Sequence, residues 1–292
     1  MPTFDTPQPV SVALELGVGD IRIIATDRDD TIVEVRPSDT SKKSDVAAAE
    51  QTRVEYAGGR LSIRGPKGWR KYSLRGGRES IDVEIALPVG SHVRGEAGIA
   101  ALRCSGRLGE CRFKIGLGEV QLDQAGPVAL ETGAGDITVE RALDRADVTT
   151  GSGAVHVGSI AGSGVIKNSN GDTWVGEVTG DLRVNAANGK ISVDHAHATV
   201  AAKTANGDVY IGEVESGAVL AQTACGKVEV GVRDGVAAWL ELNTSYGNVH
   251  NDLEAAERPG AGEDAVEVRA RSSFGDVTVH RSLVGGPTKD VP

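Results

Sequence analysis

Six histidines, three cysteines and 41 acidic side chains are the residues of this 292-residue chain that could ligate a metal or move a proton. Their spacing favours neither chemistry. His195 and His197 alternate onto one strand face and could chelate, but no third ligand follows at a suitable spacing. His156 and His250 occupy equivalent positions that are not adjacent. Cys104, Cys111 and Cys225 are odd in number and lack the spacing of a zinc site or a disulfide framework, so all three are expected to be small buried hydrophobes. Acids follow glycines in many places, as in calcium-binding nonapeptide repeats, but those repeats put one spacer between Gly and Asp. Here Asp follows Gly directly, and Lys190 and Lys227 take the same position as the acids. Asp123, Glu140 and Asp194 could form a carbohydrate-cleaving face, yet Gly158, Gly176 and Gly212 share their column, as turn residues would. The G-x-G phrases open strands, whereas a dinucleotide loop opens a helix, and no Ser/His/Asp signature is present. No catalytic residue, metal or cofactor is expected.

Binding chemistry is better represented. The segment Arg64 to Arg78, RGPKGWRKYSLRGGR, carries six positive charges (Arg64, Lys67, Arg70, Lys71, Arg75 and Arg78) and no negative one, in a chain whose net charge is −10. Its glycines and Pro66 read as a loop between two strands, and Trp69 and Tyr72 add stacking surfaces. An anionic partner would suit it: an acidic lipid surface, an acidic protein patch or a nucleic acid. Wholesale capture of nucleic acid is not expected of so acidic a chain. Trp174 and Tyr210 are the other candidates, because both fall in an outward-facing column described below.

What must position these residues is a repeat. The phrases GLGEVQL, GAGDITV, GSGAVHV, SNGDTWV, ANGKISV, ANGDVYI, ACGKVEV, SYGNVHN and SFGDVTV place glycines at 118, 135, 153, 171, 189, 207, 226, 247 and 275. The spacing is 17 to 19 residues up to Gly226, then 21 and 28. Aliphatic residues follow each glycine at the second and fourth positions, as in Ile137/Val139 and Val209/Ile211, and a second apolar pair precedes it, as in Val128/Leu130 and Val200/Ala202. This is period-two alternation without helical period. Two short strands per unit cannot bury their apolar face alone, so the units are predicted to stack in register, each on the next, as a parallel β-solenoid. Small aliphatics suit stacked columns, which accounts for an aromatic content of only 3%.

Three further columns fit such corners. Thr132, Thr150, Asn168, Thr204, Thr223, Thr244 and Ser272 precede the glycine by three, where hydrogen bonds along the stack or at a turn are expected. Asn170, Asn188 and Asn206 precede it by one and can ladder. Directly after it, Asp172, Lys190, Asp208 and Lys227 alternate in sign, as ion pairs between neighbouring coils would require.

Residues 1–95 use the same vocabulary irregularly. Gly17 to Ile23 is one more copy, alternating runs follow, and Ser38 to Gln51 is left open between a short helix and a polar loop. The expected organisation is an irregular capping portion over 1–95 continuous with the stack, regular solenoid repeats over 96–284 and a disordered tail over 285–292. The start, MPTFDTPQPV, lacks the positive flank and apolar run of a secretory signal, and no stretch reaches the roughly 18 apolar residues of a membrane span. The expected location is cytoplasmic.

The repeated G-x-G-D-[IV]-x-[VI] phrases, TANGDVYI and the closing SSFGDVTV resemble the bacterial β-strand-repeat family called toastrack-type or "putative adhesin". The resemblance covers nearly the whole chain and is strongest over 114–280. It implies a parallel β-solenoid, no established catalytic activity, and roles in adhesion or in the sensing and assembly of cell-envelope stress systems. It transfers no site residues. The leading expectation is a non-enzymatic binding or assembly scaffold acting through a protein partner or self-association. The alternatives are a carbohydrate-active β-helix enzyme, and a peripheral contact with anionic lipid or nucleic acid through 64–78.

Overall fold

The computed structural model describes residues 2–66, 79–253 and 265–282, and the chain divides into two compact units, Met1–Trp174 and Val175–Pro292. The fold is all-β, a parallel β-solenoid with an irregular N-terminal sheet. Alternation decides the strands and stacking decides their partners. In the N-terminal unit, Val128–Ala134 lies between Cys111–Leu117 and Ala146–Ser152, and Ile137–Ala142 lies between Val120–Ala125 and Val155–Ile160, all parallel. Val120, Ile137 and Val155 meet in register, as do Leu122, Val139 and Val157, and none of the six is more than 2% exposed. In the C-terminal unit Ile191, Val209 and Val228 continue the same pattern. Each such aliphatic side chain contributes about 1.5–3 kcal/mol by leaving water.

The corner between the two strands of a coil explains the repeated glycine. Gly135 has φ +140°, and a Cβ there would lie 2.0 Å from the carbonyl oxygen of Gly118 in the neighbouring coil. Gly226, at φ +150°, stands in the same relation to Gly207, at 2.2 Å. No other residue accepts both the dihedral and the approach. The hydroxyl column reads the same carbonyls: Thr150 Oγ1 donates to the Gly135 oxygen at 3.2 Å and Thr223 Oγ1 to that of Gly207 at 2.8 Å. Asn206 Nδ2 donates to Asn188 Oδ1 at 2.8 Å, so the asparagines do ladder. The charged column also reaches backbone. Asp136 accepts the backbone N–H of Ala154 at 2.7 Å, and Asp208 accepts that of Lys227 at 2.7 Å. These two acids thus cap amides of the next coil.

Sequence order and spatial order part company in each unit. The first coil, Ser11–Thr26, pairs with Arg60–Arg64 and Ile81–Pro88 on one side and with His92–Leu108 on the other. The coil formed by Arg60–Arg64 and Ile81–Pro88 is therefore outermost. Antiparallel strands cover it: Arg53–Ala57 on Arg60–Arg64, and Asp30–Pro37 on Ile81–Pro88, with Thr3–Asp5 beyond. The segment left open between helix and loop folds as a helix, Lys43–Gln51, whose buried Asp45 accepts the N–H of Ser80 at 3.3 Å.

In the C-terminal unit the order of the last two repeats is reversed, a correction to simple stacking in chain order. Ala265–Phe274 lies between Ala218–Cys225 and Ala237–Tyr246, and Val277–Arg281 between Val228–Val232 and Val249–Asn251. The chain leaves Val232, passes one strand spacing, builds the outer coil at 237–251 and returns to fill the gap. The 28-residue interval between Gly247 and Gly275 supplies the longer return connection. Arg281 secures the crossing by donating from Nη1 to the carbonyls of Arg233 at 2.9 Å and Val236 at 2.7 Å.

Candidate functional site

The reversal leaves the coil 237–251 at an edge. Among the described residues, Ala237–Tyr246 is paired on one side only, by Ala265–Phe274. Its inward residues Leu240 and Leu242 are half-buried, whereas their register partners Val268 and Ala270 are fully covered. Val249 is 46% exposed although Val277, its neighbour in the column, is buried.

Aromatic side chains stand exposed along this edge. The column that holds Asn188 and Asn206 continues through Cys225 and Phe274 to Tyr246. The rings of Tyr246 and Phe274 stack with centroids 4.9 Å apart and planes 4° from parallel. Tyr246 is 69% exposed, Phe274 56% and Trp239 67%. Three of the chain's ten aromatics are thus exposed on these two strands, Tyr246 and Phe274 as a stacked pair and Trp239 further back along the edge strand, in a molecule that otherwise builds its core from small aliphatics. The exposed Tyr246–Phe274 stack is the kind of apolar surface that marks an interaction site. Sequence reasoning did not single these residues out. The signal was the change from Asn to Cys, Tyr and Phe in the column before the glycine.

The residues that sequence reasoning did single out lie elsewhere. Arg64 is exposed at the end of its strand and lines a groove of about 570 Å³ in the N-terminal unit, together with Arg94, Arg112 and Lys114. These cations are matched by acids: Lys114 reaches Glu131 at 2.6 Å, and Arg112 and Arg94 share Glu110 at 3.2 and 3.8 Å. Lys67, Trp69, Arg70, Lys71, Tyr72, Arg75 and Arg78 fall outside the described residues. Trp174 is half-buried and stacks on His156, centroids 3.9 Å apart at 18°. Tyr210 is half-buried with the Lys190 ammonium 5.6 Å from its ring centre. Burial, with the carboxylates of Glu229 and Asp194, raises its phenol above the ordinary tyrosine range.

The titratable groups serve the stack. His197 sits between Glu215, 2.8 Å from Nδ1, and Glu177, 2.9 Å from Nε2, and Arg233 continues the row by pairing with Glu215 at 2.5 Å. The hydrogen bond to Glu215 raises the imidazole's pKa against the opposing effect of burial, and Glu177 adds to the rise. His195 turns to its own carboxylate, Glu213, at 3.8 Å, so the two histidines do not converge on a ligand. Among the described residues no group of three or more His, Cys, Asp or Glu could hold a metal. Asp123, a candidate acid, accepts the N–H of Gly106 at 3.0 Å. Cys104 and Cys111 are buried as expected, and a hydrogen bond to Cys111, with burial, pushes the Cys104 thiol well above its usual range. Cys225 is exposed, a correction that follows from its place at the corner column.

The model of the family Toastrack DUF4097 matches residues 11–280. The chain belongs to that family. No catalytic activity is known for the family. Similar solved structures include a "putative adhesin" from Parabacteroides merdae, with 12% identity, a TM-score of 0.44 and coverage of 79% of this chain and 94% of that one. Another, from Bacteroides fragilis, has 10% identity, a TM-score of 0.33 and coverage of 95% and 96%. A "putative cell adhesion protein" from Clostridium sporogenes has 13% identity, a TM-score of 0.22 and coverage of 96% and 98%. No curated protein matches the chain. Among the described residues no helix of this Toastrack protein is long and apolar enough to cross a membrane.

Proposed function

We propose that this Toastrack protein is a non-enzymatic binding and assembly module whose working surface is the outer coil 237–251 with the adjoining Phe274. The observation that carries the reading is the exposed, stacked pair Tyr246 and Phe274, with Trp239 exposed further back along the same edge strand, whose inward leucines are only half-covered. Rings at a desolvating edge supply large contact area at small entropic cost, and a strand edge supplies ordered backbone donors and acceptors. The neighbours described as adhesins accord with such a role. A variant carrying Trp239→Ser, Tyr246→Ser and Phe274→Ser tests it. Immobilised wild-type protein is expected to retain specific proteins from an extract of the producing cells, and the variant to lose them. Equal capture by a correctly folded variant removes the reading.

A further inference from the structure

One peptide step of this chain is placed for spontaneous backbone chemistry. The sequence contains a single Asp–Gly step, Asp234–Gly235, in the turn from Val228–Val232 to Ala237–Tyr246. We propose that Asp234 is a self-modification site, whose isomerisation to isoaspartate undoes the clamp on the outer coil 237–251. This goes beyond the binding reading, since it concerns how the coil is held and not what binds it.

Asp234 and Gly235 are both exposed, and a Cβ on Gly235 would meet nothing within 4 Å. The Gly235 N–H donates to Asp234 Oδ1 at 3.0 Å, so its partner is the carboxylate and not a neighbouring coil. The nitrogen is thereby held against the group it must attack, and reacting groups so placed need little further ordering. Ring closure joins the Gly235 nitrogen to Cγ of Asp234, while the amide proton and the hydroxyl of the protonated carboxyl leave as one water. Water then adds back to the succinimide. Opening the Cγ–N bond restores aspartate; opening the bond from nitrogen to the α-carbonyl carbon leaves the chain running through Cγ, as isoaspartate. One water leaves and one returns, so no oxidant or cofactor is needed.

Asparagine–glycine steps close the same ring faster in a free chain, because a neutral amide is attacked more readily than a carboxylate. Three are present, at Asn170, Asn188 and Asn206, all exposed. The fold withholds the nitrogen at two of them. The Gly189 N–H donates to the Asn206 carbonyl and the Gly207 N–H to the Cys225 carbonyl, each at 2.8 Å in the next coil. Their side chains are tied as well, by the bond from Asn206 to Asn188.

The Asp234 turn is also where the outer coil is fastened. The Val236 N–H donates to the Arg233 carbonyl at 3.2 Å, and Arg281 Nη1 donates to the Arg233 and Val236 carbonyls, on either side of the Asp–Gly step, at 2.9 and 2.7 Å. Isoaspartate adds a methylene to the main chain between those carbonyls, so a single guanidinium nitrogen no longer reaches both. The strand Ala237–Tyr246, paired on one side only among the described residues, then loses this tie to Val277–Arg281.

Prolonged incubation of the purified full chain near neutral pH, followed by proteolysis and mass spectrometry, tests the chemistry. Isoaspartate at 234 is read as a second peptide of unchanged mass, and the succinimide as the loss of one water. In the folded protein modification is expected at 234 in about tenfold or greater excess over 188 and 206. In denaturant the order reverses, since no coil then holds the glycine nitrogens. Asp234→Glu, which keeps the charge but must close a larger ring, stays unmodified. Hydrogen exchange tests the release. The aged wild type is expected to exchange faster over 237–246 with Ile191–Ala196 and Val209–Val214 unchanged, aged Asp234→Glu to show no change, and fresh Arg281→Gln to imitate the aged wild type. Absence of isoaspartate at 234, or its earlier appearance at 188 or 206 in the folded chain, overturns the proposal. So does a modified chain, or a fresh Arg281→Gln, whose exchange over 237–246 matches that of the fresh wild type.

Discussion

The outermost coils of the two units solve the same physical problem differently. Arg60–Arg64 and Ile81–Pro88 are covered by antiparallel strands, and Leu61, Ile63 and Ile85 are 0% exposed. Ala237–Tyr246 and Val249–Asn251 have no such cover among the described residues, and their inward side chains are partly in water. In the C-terminal unit the chain skips a position and fills it later, and in the N-terminal unit it lays the second coil outside the first before building on the first coil's other side, so in neither is the outermost coil the one nearest the chain terminus. Reversal of direction is what separates them. A strand running against the stack covers the outermost coil, although Arg53–Ala57 is itself paired on one side only among the described residues. The difference teaches that an outermost coil buries its inward side chains only when another strand lies against it, as in the N-terminal unit.

The comparison can be broken first at what both regions share. Gly135→Ala and Gly207→Ala insert a Cβ 2.0 and 2.1 Å from a backbone oxygen of the adjacent coil, at φ +140° and +144°. Neither the dihedral nor the contact can relax locally, and each is expected to cost about 4 kcal/mol or more in denaturant unfolding. Gly235→Ala, at φ +78° with open space around it, is expected to cost only about 1–2 kcal/mol.

Placing one charge under each edge tests the contrast itself. Ile85→Asp buries an unpaired carboxylate beneath the antiparallel cover and should lose about 3–5 kcal/mol. Leu242→Asp enters a half-wet position and should lose less than about 2 kcal/mol in the monomer. Equal losses would mean that the outer coil is covered in solution.

The glutamate–histidine row sharpens the picture of the C-terminal unit. The folded pKa of His197 is raised above the ordinary value of about 6.5. Its stabilisation is therefore fully present below that ordinary value and is lost as pH rises through the folded pKa. A His197→Gln variant should melt below wild type in mild acid and approach it in alkali. A constant difference across that range would show that the charge has no part.

The smallest effects concern the amide-capping acids. Asp136→Ala removes the acceptor of the Ala154 N–H between two covered coils and should cost about 1 kcal/mol. Asp276 accepts the N–H of Asn248 at 2.8 Å, and that bond holds its carboxyl below the usual aspartate range. Because Asn248 belongs to the edge coil, Asp276→Ala should speed hydrogen exchange there without moving the main unfolding transition.

Much of this was legible from residues in line. The Ile137/Val139 and Val209/Ile211 pairs announce strands because alternation is a property of the chain itself, and glycines 17 to 19 residues apart announce coils because register repeats the same contacts. The Thr column was readable as a corner but not its acceptor, the carbonyl of the neighbouring glycine. The acids after the glycines were readable as charge, but not that Asp136 and Asp208 accept backbone amides of the next coil. Trp239, Tyr246 and Phe274 escaped notice because a ring in a repeat position looks the same whether the next coil covers it or water does.

The sequence by itself determined that the chain would be strands, that their apolar columns would stack at the period of the repeat, and that glycine and hydroxyl residues would make the corners. All of these depend on contacts recurring at fixed separations along the chain. Tertiary structure alone decided the order in which coils lie, and with it which outermost coil is covered and which is exposed. Neighbouring coils offer nearly interchangeable aliphatic columns, so local pattern cannot rank them. The choice falls to connection length, to the Arg281 bonds across the 233–236 turn and to the antiparallel strands of the N-terminal sheet, none of which repeats.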